Sequence, residues 1–158
     1  MKNKWIKIGE VGVDSGQLMV CDPCYIDSEW KKEGFDDIRR YRDSKSNKIY
    51  KFGKHFYHYE TKMKACCGKT PNELIKSKRW VEIVEKEIKG FSYNSVSNKG
   101  EKKYKQLNYR MGHPGVAVAF DSGFGDGCYP VYAKIKDFGK LGKRVVEVKI
   151  VMIDGRDK

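Results

Sequence analysis

What this chain lacks narrows its class first. No run of apolar residues approaches the roughly 20 that cross a bilayer. The opening Met1-Lys2-Asn3-Lys4-Trp5-Ile6-Lys7-Ile8-Gly9-Glu10 holds basic residues but no continuous apolar core of export-signal length. Both absences point to a cytoplasmic protein with no membrane partner. Cysteine occurs five times, an odd number without regular spacing, which argues against the disulfide framework of a small secreted domain and for a reducing compartment. Histidine occurs three times, at His55, His58 and His113, so any imidazole acid–base chemistry has to use one of them. No serine stands in a nucleophile elbow, which leaves hydrolase triads unsupported. No catalytic residue, metal ligand set or cofactor is assigned. Acids are in deficit, 21 against 33 lysines and arginines, and the formal charge of +12 attracts nucleic acid, nucleotides, acidic proteins or anionic surfaces.

What is present suits one domain: 158 residues bury most of a core without staples, and 10 tyrosines, 7 phenylalanines and 3 tryptophans supply stacking surface. Trp5–Ile8, Val11–Val13 and Gln17–Val20 read as short strands of a meander, divided by glycine turns and ended by Asp22-Pro23, where proline removes a donor. Residues 27–47 are polar and charged, with Ile38 and Tyr41 as anchors of a short helix or a loop. Ile49 to Met63 reads as one or two extended strands. Thr70-Pro71-Asn72-Glu73 carries a capping box with proline at the first helical position, which predicts a helix over about 71–89. Leu74, Trp80 or Val81, Val84 and Ile88 fall near one face, Gly90 supplies a stop, and Ser77-Lys78-Arg79 is a point where the helix can split. The serine, asparagine, glycine and lysine content of Phe91 to Lys105 predicts an exposed loop. Gly115–Phe120, Tyr129–Ile135 and Val145–Ile153 are strands again, the last mostly buried. The order β, α, β predicts an α+β domain: a mainly antiparallel sheet with one central helix packed on it.

One pattern occurs twice. Asp14-Ser15-Gly16 through Tyr25, and Asp121-Ser122-Gly123 through Tyr132, both read D-S-G-x4-C-x-P-x-Y. Each copy follows an apolar stretch and marks a turn between strands; the two turns are either pseudo-symmetric partners at one site or unrelated products of turn chemistry. Gly123-Phe124-Gly125-Asp126-Gly127 is either a glycine-rich hairpin or a place where backbone amides meet an anion. It is not a dinucleotide fingerprint, because strand rather than helix follows. Cys21-Asp22-Pro23-Cys24 has the spacing of a redox pair or half a zinc site, with Cys66, Cys67, His55 and His58 as further zinc ligands; small core cysteines are the plainer reading. Asp14, Asp22, Asp121 and Asp126 form a carboxylate cluster only if the echoed turns face each other. In Tyr50-Lys51-Phe52-Gly53-Lys54-His55-Phe56-Tyr57-His58-Tyr59 cations alternate with rings. The alternation turns Tyr50, Phe52 and Phe56 inward and Lys51, His55 and Tyr57 outward.

The segments V-D-S-G-x-L-x-V-C-D-P, with Tyr25 following, and D-S-G-F-G-D-G-x-Y-P-V-Y resemble the paired signatures of a family of bacterial and phage proteins classed as a domain of unknown function. The resemblance covers about the first 25 and the last 45 residues. It implies that Asp22, Pro23, Gly125, Asp126, Gly127, Tyr129, Pro130 and Tyr132 belong to a shared framework, and it carries no activity. In size, charge and lack of catalytic motifs the chain is also similar to small phage proteins that sequester nucleotide signals of host immunity.

These features point to non-enzymatic binding of a small anionic, nucleotide-like ligand. Tyr25, Phe124, Tyr129 and Tyr132 stack on it, Asp22 and Asp126 accept hydrogen bonds, Gly125 and Gly127 admit it to the backbone, and Lys51, Lys54 and Arg110 face phosphate. Two alternatives remain: a single-stranded nucleic-acid-binding module, and a metal-dependent phosphodiesterase or related hydrolase using the aspartates with His113.

Overall fold

A computed structural model describes residues 4–64, 67–83 and 87–154. The protein is an α+β fold built mainly of antiparallel sheet. Its strands are β1 (Ile6–Val13), β2 (Gln17–Cys21), β3 (Arg40–Asp43), β4 (Ile49–Lys51), β5 (Trp80–Ile83), β6 (Tyr104–Asn108), β7 (Pro114–Asp121), β8 (Gly127–Asp137) and β9 (Lys143–Ile150). Among the described residues three short α-helices interrupt them: α1 (Cys24–Ser28), α2 (Pro71–Lys76) and α3 (Tyr93–Ser97). The strands form three antiparallel sheets, ordered β1-β8-β9, β2-β7-β6 and β4-β3-β5.

The first strands are not a meander. β1 is one strand through Gly9 and Gly12, with an irregularity between Lys7 and Gly9, and it pairs with β8; β2 pairs with β7. The polypeptide enters both ladders through the two echoed turns, so β1-turn-β2 and β7-turn-β8 lie side by side as one bent ribbon.

Two cores result. One gathers Phe91, Val96, Leu107, Val116, Ala117 and Ala119, from α3, β6, β7 and the loop before α3, with Met19 and Trp30 packed against it. The other packs Tyr41, Phe56, Met63, Leu74 and Trp80 between α2 and β4-β3-β5. Phe56 is buried, with Tyr50 and Phe52 packed against it, while Lys51, His55 and Tyr57 are exposed, as the alternation predicts. Only Ile49–Lys51 of that stretch is strand.

The capping box at Thr70 forms as predicted: the Glu73 amide donates to Thr70 Oγ1 at 3.2 Å and the Thr70 amide to Glu73 Oε2 at 2.8 Å. The helix nevertheless ends at Lys76 rather than near residue 89. Lys78 takes a left-handed φ of 57°, and Trp80–Ile83 turns into strand beside β3. Tertiary packing overrides propensity here. The Trp80 ring stacks against Tyr50 at 4.6 Å and Tyr41 at 5.7 Å, and Arg79 pairs with the fully buried carboxylate of Asp43 at 2.9 Å. Val84, on the predicted helical face, lies outside the described residues.

Two further expectations are corrected. The stretch from Phe91 to Lys105 is not an exposed loop: Ser92 caps α3, whose Asn94, Ser95 and Val96 are buried. The buried Lys105 ammonium donates to the carbonyls of Ser95 and Asn98, at 3.0 and 3.4 Å, and to that of Ile88. The hydrophilic letters serve internal hydrogen bonds. Conversely, β9 is a strand but its side chains are exposed along most of its length.

Candidate functional site

The echoed turns meet. The Gly16 amide donates to Asp126 Oδ1 at 2.8 Å, and the Ser122 amide to the Gly16 carbonyl at 3.0 Å. Several of their polar groups are engaged within the corner. Ser122, fully buried, donates its hydroxyl to the Gly125 carbonyl at 2.8 Å, and the Tyr129 hydroxyl lies 2.6 and 3.0 Å from the carbonyls of Gly125 and Ser122. Gly123 has φ of 48°, and a Cβ there would stand 2.8 Å from the Met152 carbonyl oxygen. The glycine cluster is thus an internally tied structural corner, with Gly123, Phe124, Asp126 and Gly127 exposed on it. The Tyr129 ring is buried inside it and so is not placed to stack on a ligand; Phe124 is 78% exposed outside it.

The remaining expected residues lie in separate places. Asp22 and Tyr25 stand at the far end of β2 from that corner, a strand of five residues spanning about 14 Å. There Asp22 accepts from the Cys24 amide at 3.0 Å, so its carboxyl falls below the usual range. Tyr25 packs edge-on against Tyr109 at 5.1 Å, and their hydroxyl contact pushes its pKa up to about 12. Arg110 is close by, its amide held by Glu29 at 2.9 Å. Tyr132 lies on β8, under the Lys149 ammonium at 5.5 Å. The four aspartates do not gather: Asp121 pairs with Lys99 at 2.9 Å, and Asp126 and Asp22 are engaged at opposite ends of β2. Among the described residues no three histidine, cysteine or acidic side chains come together as metal ligands; Cys66 is outside them. Cys24 does begin a helix, but its thiol pKa is raised by Asp22, and burial raises that of Cys21, the reverse of an activated pair.

Lys51 and Lys54 line a cleft of about 500 Å³ with Phe35, Asp37 and Phe52. Phe35 and Asp37 also line a second cleft of about 460 Å³, whose other wall carries Tyr93, Lys99 and Lys103. The segment 33–39 therefore divides two adjoining concavities between the two cores. Asn94, missed in the sequence, fixes it. Its side-chain oxygen accepts from the Asp36 amide at 2.9 Å, and its nitrogen donates to the Gly34 carbonyl at 3.0 Å and Glu33 Oε1 at 3.1 Å. Phe35 is thereby held edge-on to Tyr93, with centroids 5.3 Å apart, while remaining 53% exposed.

Downstream, Arg39 grips Asp37 through Nε, at 2.8 and 3.0 Å, and through Nη2. Burial pushes the Asp37 carboxyl up, but the Arg39 hydrogen bonds outweigh it and hold the pKa below the usual range; the guanidinium is raised in turn. The same guanidinium lies 4.8 Å from the Tyr59 ring centroid and 5.7 Å from that of Phe52. Lys99, almost fully buried, is held by Gln17 at 2.6 Å and by Asp121. With Arg39 and Lys99 engaged internally, Lys51 and Lys54 are exposed cations open to an anion entering the clefts, and Lys103, largely exposed, lies 3.5 Å from Asp121.

Comparison with protein-family models, with curated proteins and with solved structures gives no match. The likeness to the family of unknown function therefore rests on the two motifs alone. No helix among the described residues is long and apolar enough to cross a membrane.

Proposed function

We propose that this protein binds a small anionic, nucleotide-like ligand without chemical turnover, in the paired clefts on either side of Phe35. The observation that carries the reading is an aromatic ring held half exposed by a polar clamp, with two lysines in the same cleft. A core phenylalanine would be covered, and a solvated loop would not be fastened at three points. Phe35 and Tyr93 offer a stacking corner for a base, Lys51 and Lys54 neutralise phosphate, and Asp36 or Glu101 accepts from amino or hydroxyl groups. The test is native mass spectrometry of the protein as purified, followed by titration calorimetry with mono-, di- and triphosphate nucleotides. Phe35→Ala and the double charge reversal Lys51→Glu/Lys54→Glu are expected to weaken the best binder by about tenfold or more. Parent-like affinity in both would remove this placement.

A second reading, single-stranded nucleic-acid binding, is favoured by the β1-β8-β9 sheet. The Trp5 ring has the ammonium groups of Lys134 and Lys149 at 4.7 and 4.5 Å, with Tyr132 beside Lys149. Rings interleaved with cations are what a base-stacking, phosphate-neutralising surface requires. This reading predicts oligonucleotide affinity that falls steeply with salt and with Trp5→Ala but is indifferent to Phe35→Ala.

A further inference from the structure

The β1-β8-β9 sheet has two unlike faces. Opposed residues of an antiparallel ladder share a face, so the register puts Ile6, Ala133 and Val148 together, with Val131 beside Ile150 and Ile135 beside Val145. The other face holds Lys7, Tyr132, Lys134, Lys136, Glu147 and Lys149, and its charges are partly paired there, Lys7 with Glu10 at 2.5 Å and Lys134 with Glu147 at 2.7 Å. The apolar face has no such use. On this face Ala133 and Tyr129 are buried, but Val145 and Val148 are each 58% exposed and Ile6 49%, although the sequence there alternates as a buried strand does. Three strands with one dry face gain stability by covering it.

We infer that the apolar face of β1-β8-β9 is the interface of a two-fold symmetric dimer, in which two copies of this sheet pack face to face. The face carries no charged side chain from Val131 to Ile135 on its central strand, and the oppositely charged neighbours Asp137 and Lys143 stand only at its rim. A second copy is therefore a fitting occupant despite the +12 charge of each chain: cations of both copies stay on the outward faces, beyond the roughly 10 Å separating packed sheets. Three strands about 4.8 Å apart by nine residues of β8 cover about 430 Å² per copy, or about 860 Å² for the pair, in the size range of weak, transient encounters. The dimer is accordingly weak, concentration-dependent, and strengthened by salt, which screens the residual repulsion. Its symmetry makes the interface isologous, each copy giving and receiving the same residues.

Sedimentation velocity of the full chain over a wide concentration range, at low and high salt, tests this. The expected result is a monomer–dimer equilibrium shifted toward dimer by salt. Val148→Glu is expected to weaken it by about a hundredfold by placing a carboxylate in the interface, with Val145→Lys as an independent second variant. Both sites are exposed in the single chain, so thermal melts of the variants should stay close to the parent. Lys136→Glu, on the opposite face of the same sheet, should leave dimerisation intact. A parent that stays monomeric throughout overturns the inference. So does a dimer untouched by both valine variants, which would indicate pairing through a strand edge, or one abolished equally by Lys136→Glu.

Discussion

Asp126 accepts a hydrogen bond at 2.8 Å from the amide of Gly16, 110 residues earlier in the chain, and so closes one D-S-G turn onto the other. This bond ties the point where β1 passes to β2 to the point where β7 passes to β8. Asp126→Ala is expected to lower unfolding stability by about 1 kcal/mol, the size of one net hydrogen bond in an exposed setting. Ligand binding at the Phe35 clefts should be unchanged. Urea denaturation alongside calorimetry checks both; a large loss of affinity with intact stability would return the corner to the binding site.

Asn94 contributes by pre-organisation. Its amide holds Glu33, Gly34 and Asp36, and no other clamp of comparable reach fixes Phe35 in its half-exposed position among the described residues. Asn94→Ala should weaken nucleotide binding by about tenfold, because the segment must then be ordered by the ligand. The melting temperature should fall only modestly. Asn94→Asp keeps the acceptor for the Asp36 amide but loses the donor, so it should fall between parent and alanine variant.

Local chemistry was legible wherever a few adjacent residues decide the structure. The Thr70 capping box, the ends of β2 and β7 and the inward alternation of Phe52 and Phe56 all follow from side chains within a few positions of one another. The turn pairing was visible as an echo, but its role was not: whether Asp126 meets a ligand or Gly16 depends on a contact across most of the chain. The break at Ser77-Lys78-Arg79 was visible, but the strand that follows it was hidden for the same reason, since Trp80 leaves the helix to stack on rings from β3 and β4. Phe35 carried no sequence signal, because its placement depends on Asn94, which lies in a stretch whose composition reads as solvated loop.

Glu33 gives the site a pH signature. Hydrogen bonds from Lys31, then Ser92 and Asn94, lower its pKa from an ordinary 4.5 to about 2. A depressed folded-state pKa means that the unfolded chain binds the proton more readily, so the stabilisation is complete above about 4.5 and is lost as pH falls from there toward 2. Unfolding stability of the parent should therefore fall more steeply across this window than that of Glu33→Gln, and the two curves should converge at the acid end. Parallel curves would mean that the carboxylate is not held in this way.

Asp43 and Arg79 set where α2 gives way to β5. The Asp43 carboxylate is fully buried and accepts from the Lys45 and Ser46 amides at 2.8 and 3.2 Å while pairing with Arg79. Removing only the acid takes from the guanidinium its buried partner and leaves two amides without their acceptor. Asp43→Ala is thus expected to cost about 3 kcal/mol or more. Arg79→Met should cost less, since the backbone amides still satisfy the carboxylate. In a double-mutant cycle the two losses should fall short of adding, by at least about 1 kcal/mol, because either change alone already breaks the pair. Strict additivity would show that the helix end is set by the Trp80 stack and not by this ion pair.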